Sequence, residues 1–137
     1  MPPKTKIVPR GIRNNNPLNI RIGNTWLGER PNPIDKDFEE FVSMEYGLRA
    51  AFVILRRYIR RYHKDTIIEV VSTWAPANEN DTQRYIDFVA KTMLLPSDAH
   101  FKFEDRETMV RLVSAMARFE CGQEVSMNLV YKGYDLA

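Results

Sequence analysis

Four stretches of the chain repeat apolar residues every three or four positions, the spacing of a helix that buries one face. The first stretch follows Ser43, a residue type that often caps helices. The second begins at Thr66, whose spacing from Glu69 is that of a capping box, and should end where Pro76 restricts the residue before it. The apolar stripe of the first predicted helix consists of Leu48, Ala51, Phe52, Leu55, Ile59 and Tyr62.

Two more helices are predicted in the second half of the chain. Asn80 or Asp81 can cap the third, which should end before Pro96, and Asp105 can cap the fourth. The tail after Gly122 shows no clear period, so no helix is predicted there. The apolar stripes are Tyr85, Phe88, Val89 and Thr92 in the third helix, and Met109, Leu112, Val113, Met116 and Phe119 in the fourth.

The chain before the first long helix has a different character, rich in Asn, Gly and Pro. Residues 18–22 and 25–27 flank Gly23-Asn24, which predicts a small β-hairpin. Phe38 and Phe41 bracket a further extended or turn segment. Residues 1–9 form a basic N-terminal segment that we expect to be flexible. The predicted fold class is therefore mainly α (α+β), one helical domain over residues 10–137 with a hairpin region near its N-terminus.

Composition narrows the function classes without choosing one. The 137 residues carry a net charge of only +2, which mildly favours an anionic partner. Cys121 is the single cysteine, so no intramolecular disulfide can form. The sequence has no glycine-rich phosphate loop, no nucleophile elbow and no metal-ligand cluster. Carboxylate chemistry, which suits glycosidic bonds, is the class that remains.

Glu120 is the unusual carboxylate of the sequence. At 100° per residue it lies above Met109, Val113 and Met116, in the middle of an apolar stripe. It also falls at the C-terminal end of its helix, where the dipole disfavours negative charge. Burial and dipole should both raise its pKa, as a general acid for glycoside cleavage requires. The alternative is a frayed helix end that leaves Glu120 exposed or bonded to an arginine.

Other carboxylates have simpler explanations. Glu45 fits the first turn of a helix, where the dipole favours an acidic residue, and Glu69 fits its capping box. Glu39 and Glu40 fit a solvated turn. Glu79 belongs to a loop, where it can bind substrate or cap a helix with equal probability.

Amides and tryptophans supply candidate contacts to sugars. The run Asn14-Asn15-Asn16, followed by Asn19, is rich in groups that hydrogen-bond sugar hydroxyl and acetamido groups, although Asn also favours turns. Trp26 and Trp74 offer flat apolar faces for sugar rings, and a core role for Trp74 is equally compatible with the pattern.

The arginines of the first long helix lie mostly off its apolar stripe. A solvated helix face is the simpler interpretation, and nucleic-acid binding is the alternative. The arginines concerned are Arg49, Arg56, Arg57, Arg60 and Arg61.

One set of segments stands out together, namely residues 10–21, 26–28, 38–41, 47–50, 74–82 and 120–122, with Tyr85. This set resembles a family of small bacteriophage and prophage proteins that are described as structural proteins or muramidases. The sequence departs from that pattern at Leu18, where the family usually has Gly, and at Cys121, where it usually has Asn.

The segment from Asn19 to Phe41 also resembles the hairpin region of bacterial N-acetylglucosaminidases and lytic transglycosylases. In those lysozyme-superfamily enzymes, a helix that ends in the catalytic glutamate comes immediately before this region. Here the comparable helix is the last predicted one, which ends at Glu120. We therefore expect a circularly permuted lysozyme-like arrangement, in which the first and last elements meet across one cleft.

The resemblance implies cleavage of β-1,4 bonds in peptidoglycan by a muramidase, glucosaminidase or lytic transglycosylase, with Glu120 as general acid and no cofactor. The alternatives are a non-catalytic phage structural or cell-wall-binding protein, and a nucleic-acid binder. Without a visible signal peptide or membrane span, we expect synthesis in the cytoplasm and delivery to the wall by lysis, the virion or another export route. The expected substrate-binding residues are Asn16, Asn19, Trp26, Arg49, Trp74, Glu79, Asn80 and Tyr85.

Overall fold

The computed structural model describes residues 7–78 and 81–137, and within these ranges the chain is mainly helical. The long helix α2 packs against the C-terminal helix α6 and against α5, while α4 joins α3 and α5. The six helices of the described residues are α1 (Arg10–Arg13), α2 (Met44–Tyr62), α3 (Ile67–Trp74), α4 (Thr82–Met93), α5 (Arg106–Cys121) and α6 (Met127–Leu136).

All four predicted helices are confirmed as α2 to α5, and three of them have the predicted cap. The Thr66 hydroxyl accepts a hydrogen bond from the Glu69 amide, as the predicted capping box requires, and donates one to the Glu69 carboxylate. Asp81 caps α4 and Asp105 caps α5 through the same type of bond. Ser43 precedes α2 as expected, but its buried hydroxyl finds no partner among the described residues.

Helix α6 was not predicted, and Gly133 explains why. A glycine inside a helix lowers its propensity by about 1 kcal/mol and interrupts an apolar stripe. In the structure this glycine lets α6 approach α2 closely, since a Cβ at Gly133 would lie 2.6 Å from the Leu48 Cβ. Tertiary packing of α6 on α2 therefore outweighs the weak local preference.

The predicted β-hairpin around Gly23-Asn24 does not form in the described residues. Arg21 instead pairs with Phe38, and Glu29 pairs with Phe41, as two isolated antiparallel bridges. Residues 37–42 thus exchange backbone hydrogen bonds with residues 20–22, in the first half of the predicted hairpin, and with residues 28–30, which lie beyond its second half.

Buried carboxylates organise this N-terminal segment. The fully buried Asp35 side chain accepts hydrogen bonds from Arg10, Arg13 and Asn14. The bond from Arg10 above all, and the bond from Asn14, hold the pKa of Asp35 far below its usual value, against the effect of burial. Glu40 accepts the backbone amides of Ile34 and Asp35, at 2.6 and 2.8 Å, and pairs with an arginine. Side-chain hydrogen bonds and ion pairs therefore hold this segment together, whereas a hairpin would be held by backbone hydrogen bonds between its strands.

Residues 1–6 of the basic N-terminal segment lie outside the described residues, and so do the predicted site residues Glu79 and Asn80. No helix in the described part of the chain is long and apolar enough to cross a membrane.

Candidate functional site

A cleft of about 490 Å³ lies between the N-terminal segment and α2. The ends of α3 and α5 close it, so that four parts of the chain contribute to one surface. Its lining residues are Asn19, Ile20, Arg21, Asn24, Trp26, Phe38, Val53, Ile54, Arg57, Tyr58, Tyr62, Trp74, Ala75 and Glu120.

Glu120 lies on this surface in the last turn of α5, and both of its oxygens accept hydrogen bonds. Asn19 donates from Nδ2 to Oε1 at 3.3 Å, and the Tyr85 hydroxyl donates to Oε2 at 3.2 Å. The alternative, a frayed helix end, is excluded because α5 continues through Cys121. Glu120 is half-buried and is bonded to Asn19 and Tyr85 rather than to an arginine. The carboxyl is thus fixed by two neutral donors and still reaches the cleft.

Burial raises the pKa of Glu120 above its ordinary value, although the bonds from Asn19 and Tyr85 act in the opposite direction. Burial also raises the pKa of Tyr85 well above its usual range, and the nearby Glu120 charge adds to this. Tyr85 therefore keeps its proton and acts as a donor. This geometry suits a carboxylic acid that holds its proton at higher pH than a free glutamate.

The asparagine cluster divides into one cleft residue and three that build the loop. Asn19 faces the cleft from a left-handed backbone position, with φ of 53°. Asn16 does not line the cleft: its side chain is fully buried, and it bonds the backbone of Ile20 and Glu39. Asn14 bonds the buried Asp35, and Asn15, also left-handed, bonds the Phe41 carbonyl oxygen. The turn-forming preference of Asn explains most of this cluster.

Trp26 and Trp74 both line the cleft while they pack on the hydrophobic core. Trp74 is anchored, because its indole N–H donates to the Leu18 carbonyl oxygen at 3.1 Å, and its ring stands edge-on to Tyr58 at 6.2 Å. The indole N–H of Trp26 is buried and has no partner among the described residues. Trp74 thus packs against the core and lines the cleft at the same time.

Comparison with known proteins places the chain in a lineage. It is 40% identical over 131 residues to Protein P5 of Pseudoalteromonas phage PM2, and the match spans 92% of this chain and 80% of that protein. The chain belongs to the Protein P5 family. No protein-family model matches the sequence. The expected similarity to a bacteriophage protein is confirmed, while the lysozyme-like and muramidase assignments stay predictions.

Besides Asn16, two expected substrate contacts of this Protein P5 relative lie away from the cleft surface. Arg49 donates from Nε to the Leu136 carbonyl oxygen at 3.3 Å, at the end of α6, and is not among the described residues that line the cleft. Tyr85 is buried behind Glu120, where its ring stacks on Phe119 with centroids 4.1 Å apart. Tyr85 thus reaches the cleft only through the carboxyl that it bonds.

Several cleft residues of this family member were missed from the sequence, above all Arg21, Phe38 and the outer face of α2. Ile54, Tyr58 and Tyr62 recur at four-residue steps, a second apolar stripe beside the buried one. That repeat could have indicated a second functional face of the helix. The sequence pattern instead places Tyr62 on the buried stripe, whereas its side chain is 53% exposed. Arg21 and Phe38 carried no such signal, because only the antiparallel bridge between them brings them together.

Cys121 and Leu18, the two departures from the family pattern expected from sequence, lie close together. The buried Cys121 thiol donates to the Pro17 carbonyl oxygen at 3.0 Å, and Leu18 is buried in the core. Burial raises the pKa of Cys121 to about 11, so the thiol stays protonated. Cys121 thus ties the end of α5 to the N-terminal segment.

Proposed function

We propose that this protein is a peptidoglycan-cleaving glycosidase of lysozyme-like type, with Glu120 as its general acid. The observation that carries the proposal is the half-buried Glu120 carboxyl, which lies on an aromatic cleft with a raised pKa. Cleavage of a glycosidic bond requires an acid that protonates the leaving oxygen while positive charge develops on the sugar. A carboxylic acid with a raised pKa is suited to that step near neutral pH.

The neighbours of Glu120 support this role by fixing its orientation. Asn19 holds one oxygen, and Tyr85 holds the other from the core side. The Tyr85 hydroxyl also has the Met116 carbonyl oxygen within 3.5 Å as a second acceptor. It can therefore release Oε2 when that oxygen carries the proton, and it can return to Oε2 after the proton has moved to the leaving oxygen.

The cleft walls support a glycan as the substrate. Faces of Trp26 and Trp74 can stack on sugar rings, and the Asn24 amide can bond hydroxyl or acetamido groups. A volume of about 490 Å³ is enough for a few sugar rings in an open groove.

The lysozyme-like part of the proposal draws on chain order. A permuted lysozyme core requires the N-terminal segment to meet the end of the last core helix. Asn19 and Glu120 form that contact although 101 positions separate them. Helix α6 follows Glu120 and packs on α2, so the permuted arrangement would carry one helix beyond the catalytic residue.

Glu120→Gln tests the proposal directly, with Glu45→Gln as the matched control. Glu45 is a half-buried glutamate in the first turn of α2. Loss of a general acid should reduce the rate of wall clearing by about 10²–10⁴-fold, while Glu45→Gln should clear like the parent. The assay is turbidity of purified peptidoglycan, with thermal melting of each variant measured in parallel.

Stability should separate a catalytic loss from an unfolded variant. Because Glu120 binds its proton more tightly in the folded state, the parent loses stability as pH rises from the ordinary pKa of a glutamate to the raised one. Glu120→Gln should therefore melt at or above the parent temperature at high pH. Clearing by Glu120→Gln at the parent rate would show that the acid is another residue. A parent that clears none of several peptidoglycan types would favour a structural or wall-binding protein.

A further inference from the structure

Two arginines line the cleft on different elements. Arg21 comes from the N-terminal segment and Arg57 from α2, and both are exposed. Within residues 7–78 and 81–137, neither guanidinium has an ion pair or a side-chain hydrogen bond. The Arg21 guanidinium lies over the Phe38 ring, 5.2 Å from its centroid, which orients it on the cleft wall.

Other arginines of the same N-terminal segment are neutralised by buried carboxylates. Arg10 and Arg13 pair with Asp35, and Arg30 pairs with Glu40. The fold thus supplies acidic partners to these three and leaves the two arginines of the cleft without one. Among the described lining residues, Glu120 is the sole carboxylate. The pKa of Glu120 is raised, and at every pH at which its carboxyl holds the proton the cleft is electropositive.

We infer that Arg21 and Arg57 form an anion subsite, which selects glycan strands that carry carboxylates over neutral glycans. This inference rests on the proposed function, and it names the carboxylates as the feature of the substrate that the cleft recognises. Guanidinium groups bind carboxylates through charge-assisted hydrogen bonds, while the neighbouring aromatic faces take the sugar rings. Peptidoglycan carries carboxylates on its stem peptides. Chitin shares the β-1,4 linkage and the acetamido groups but has no carboxylate.

A cleft of arginines and aromatic rings is also a form that single-stranded nucleic acid can use. Glu120 favours the glycan, because a carboxyl group on the cleft surface can bond sugar hydroxyl groups. An oligonucleotide is therefore included in the experiment as the competing ligand.

The experiment measures binding to insoluble polymers in the Glu120→Gln background, so that the polymer stays intact. Purified sacculi and insoluble chitin are sedimented with the protein at low ionic strength, and the bound fraction gives the affinity. Four further variants are compared: Arg21→Gln, Arg57→Gln, the double variant that combines them, and Arg84→Gln as the charge-matched control. Arg84 is exposed on α4, and its side chain has no ion pair in the described part of the chain.

We expect each cleft substitution to weaken binding to sacculi by about fivefold, the scale of one exposed ion pair, and the double variant by roughly 25-fold. Binding to chitin should stay unchanged, which also shows that the cleft is folded. Arg84→Gln should match its background on both polymers. Sacculi whose carboxylates have been amidated should bind the Glu120→Gln protein, with both arginines intact, as weakly as native sacculi bind the double variant.

Four results would overturn the inference. These are equal losses on chitin and on sacculi, an equal loss from Arg84→Gln, no binding of sacculi at all, and a thymidine oligonucleotide that binds more tightly than sacculi through the same two arginines. The proposed function fails separately. If the parent clears no wall but sacculus binding shows the selective arginine dependence, the anion subsite stands and only the catalytic role is lost.

Discussion

Glu39 and Glu40 are adjacent in sequence but should respond to pH in opposite ways. Glu39 is only 7% exposed, and one of its carboxylate oxygens is buried without a partner among the described residues. Burial, together with the neighbouring Glu29 carboxyl, raises the pKa of Glu39 to about 8. Glu40 accepts two backbone amides and an arginine, and these bonds lower its pKa. Replacing each by Gln therefore tests two opposite electrostatic environments one residue apart.

The raised pKa of Glu39 sets the size and the sign of the effect. Between the ordinary pKa of 4.5 and about 8, the folded state keeps a proton that the unfolded state has lost, so stability falls as pH rises through this interval. At about 1.4 kcal/mol per pH unit, the interval bounds the loss at about 5 kcal/mol. Because water reaches the half-buried Glu29 and screens its charge, we expect about 2–3 kcal/mol.

Urea unfolding of Glu39→Gln from pH 4.5 to pH 9, followed by tryptophan fluorescence, measures this difference. The variant should match the parent at pH 4.5 and exceed its free energy of unfolding above pH 8, because the amide keeps the shape of the protonated acid. Glu40→Gln should instead lose about 1–3 kcal/mol at pH 8, since its amide group faces backbone donors. Parallel pH profiles for the parent and Glu39→Gln would refute the reasoning.

Two further predictions concern the N-terminal loop and the last helix. Asn16→Ala should lower the free energy of unfolding by about 3–4 kcal/mol, because it leaves two buried backbone groups of the loop, the Ile20 amide and the Glu39 carbonyl oxygen, without their partner, as urea unfolding can check. Unchanged unfolding with lost glycan binding would instead favour a substrate contact. Gly133→Ala should destabilise by about 1–2 kcal/mol net of its helix propensity, because its Cβ would meet Leu48 at 2.6 Å. A higher melting temperature for this variant would contradict the close packing of α6 on α2.

The long helices were predictable because local signals and tertiary packing agree in them. The stripe of α5 and its Asp105 cap specify the helix before any contact is considered, and the raised pKa of Glu120 follows from its place on that stripe. Helix α6 was not predictable in the same way, because Gly133 weakens the local helical pattern. Its lack of a side chain allows the close contact with Leu48, which the sequence does not reveal.

The N-terminal segment was the hardest part because its bonds are non-local and polar. Nothing in the sequence near Gly23 indicates that Arg21 pairs with Phe38 in preference to a residue across a tight turn. The buried positions of Glu39 and Glu40 also contradict the solvated turn that was expected for them. On both sides of the cleft the prediction was therefore partial. Asn19 and Trp26 of the loop and Trp74 and Glu120 of the helices were expected, whereas Arg21, Phe38 and the outer face of α2 were missed.

The contact between Asn19 and Glu120 has a consequence for synthesis of the protein. The two residues are 101 positions apart, so at about 5–20 residues per second a ribosome needs roughly 5–20 s to pass from one to the other. During that interval the growing chain carries the amide without the acid. Closing a loop of this length also costs entropy that shorter contacts do not, which makes the pairing a late event in folding. A truncated product that stops before the end of α5 therefore contains most of the helices and the other residues that line the cleft, but not the carboxyl that Asn19 bonds.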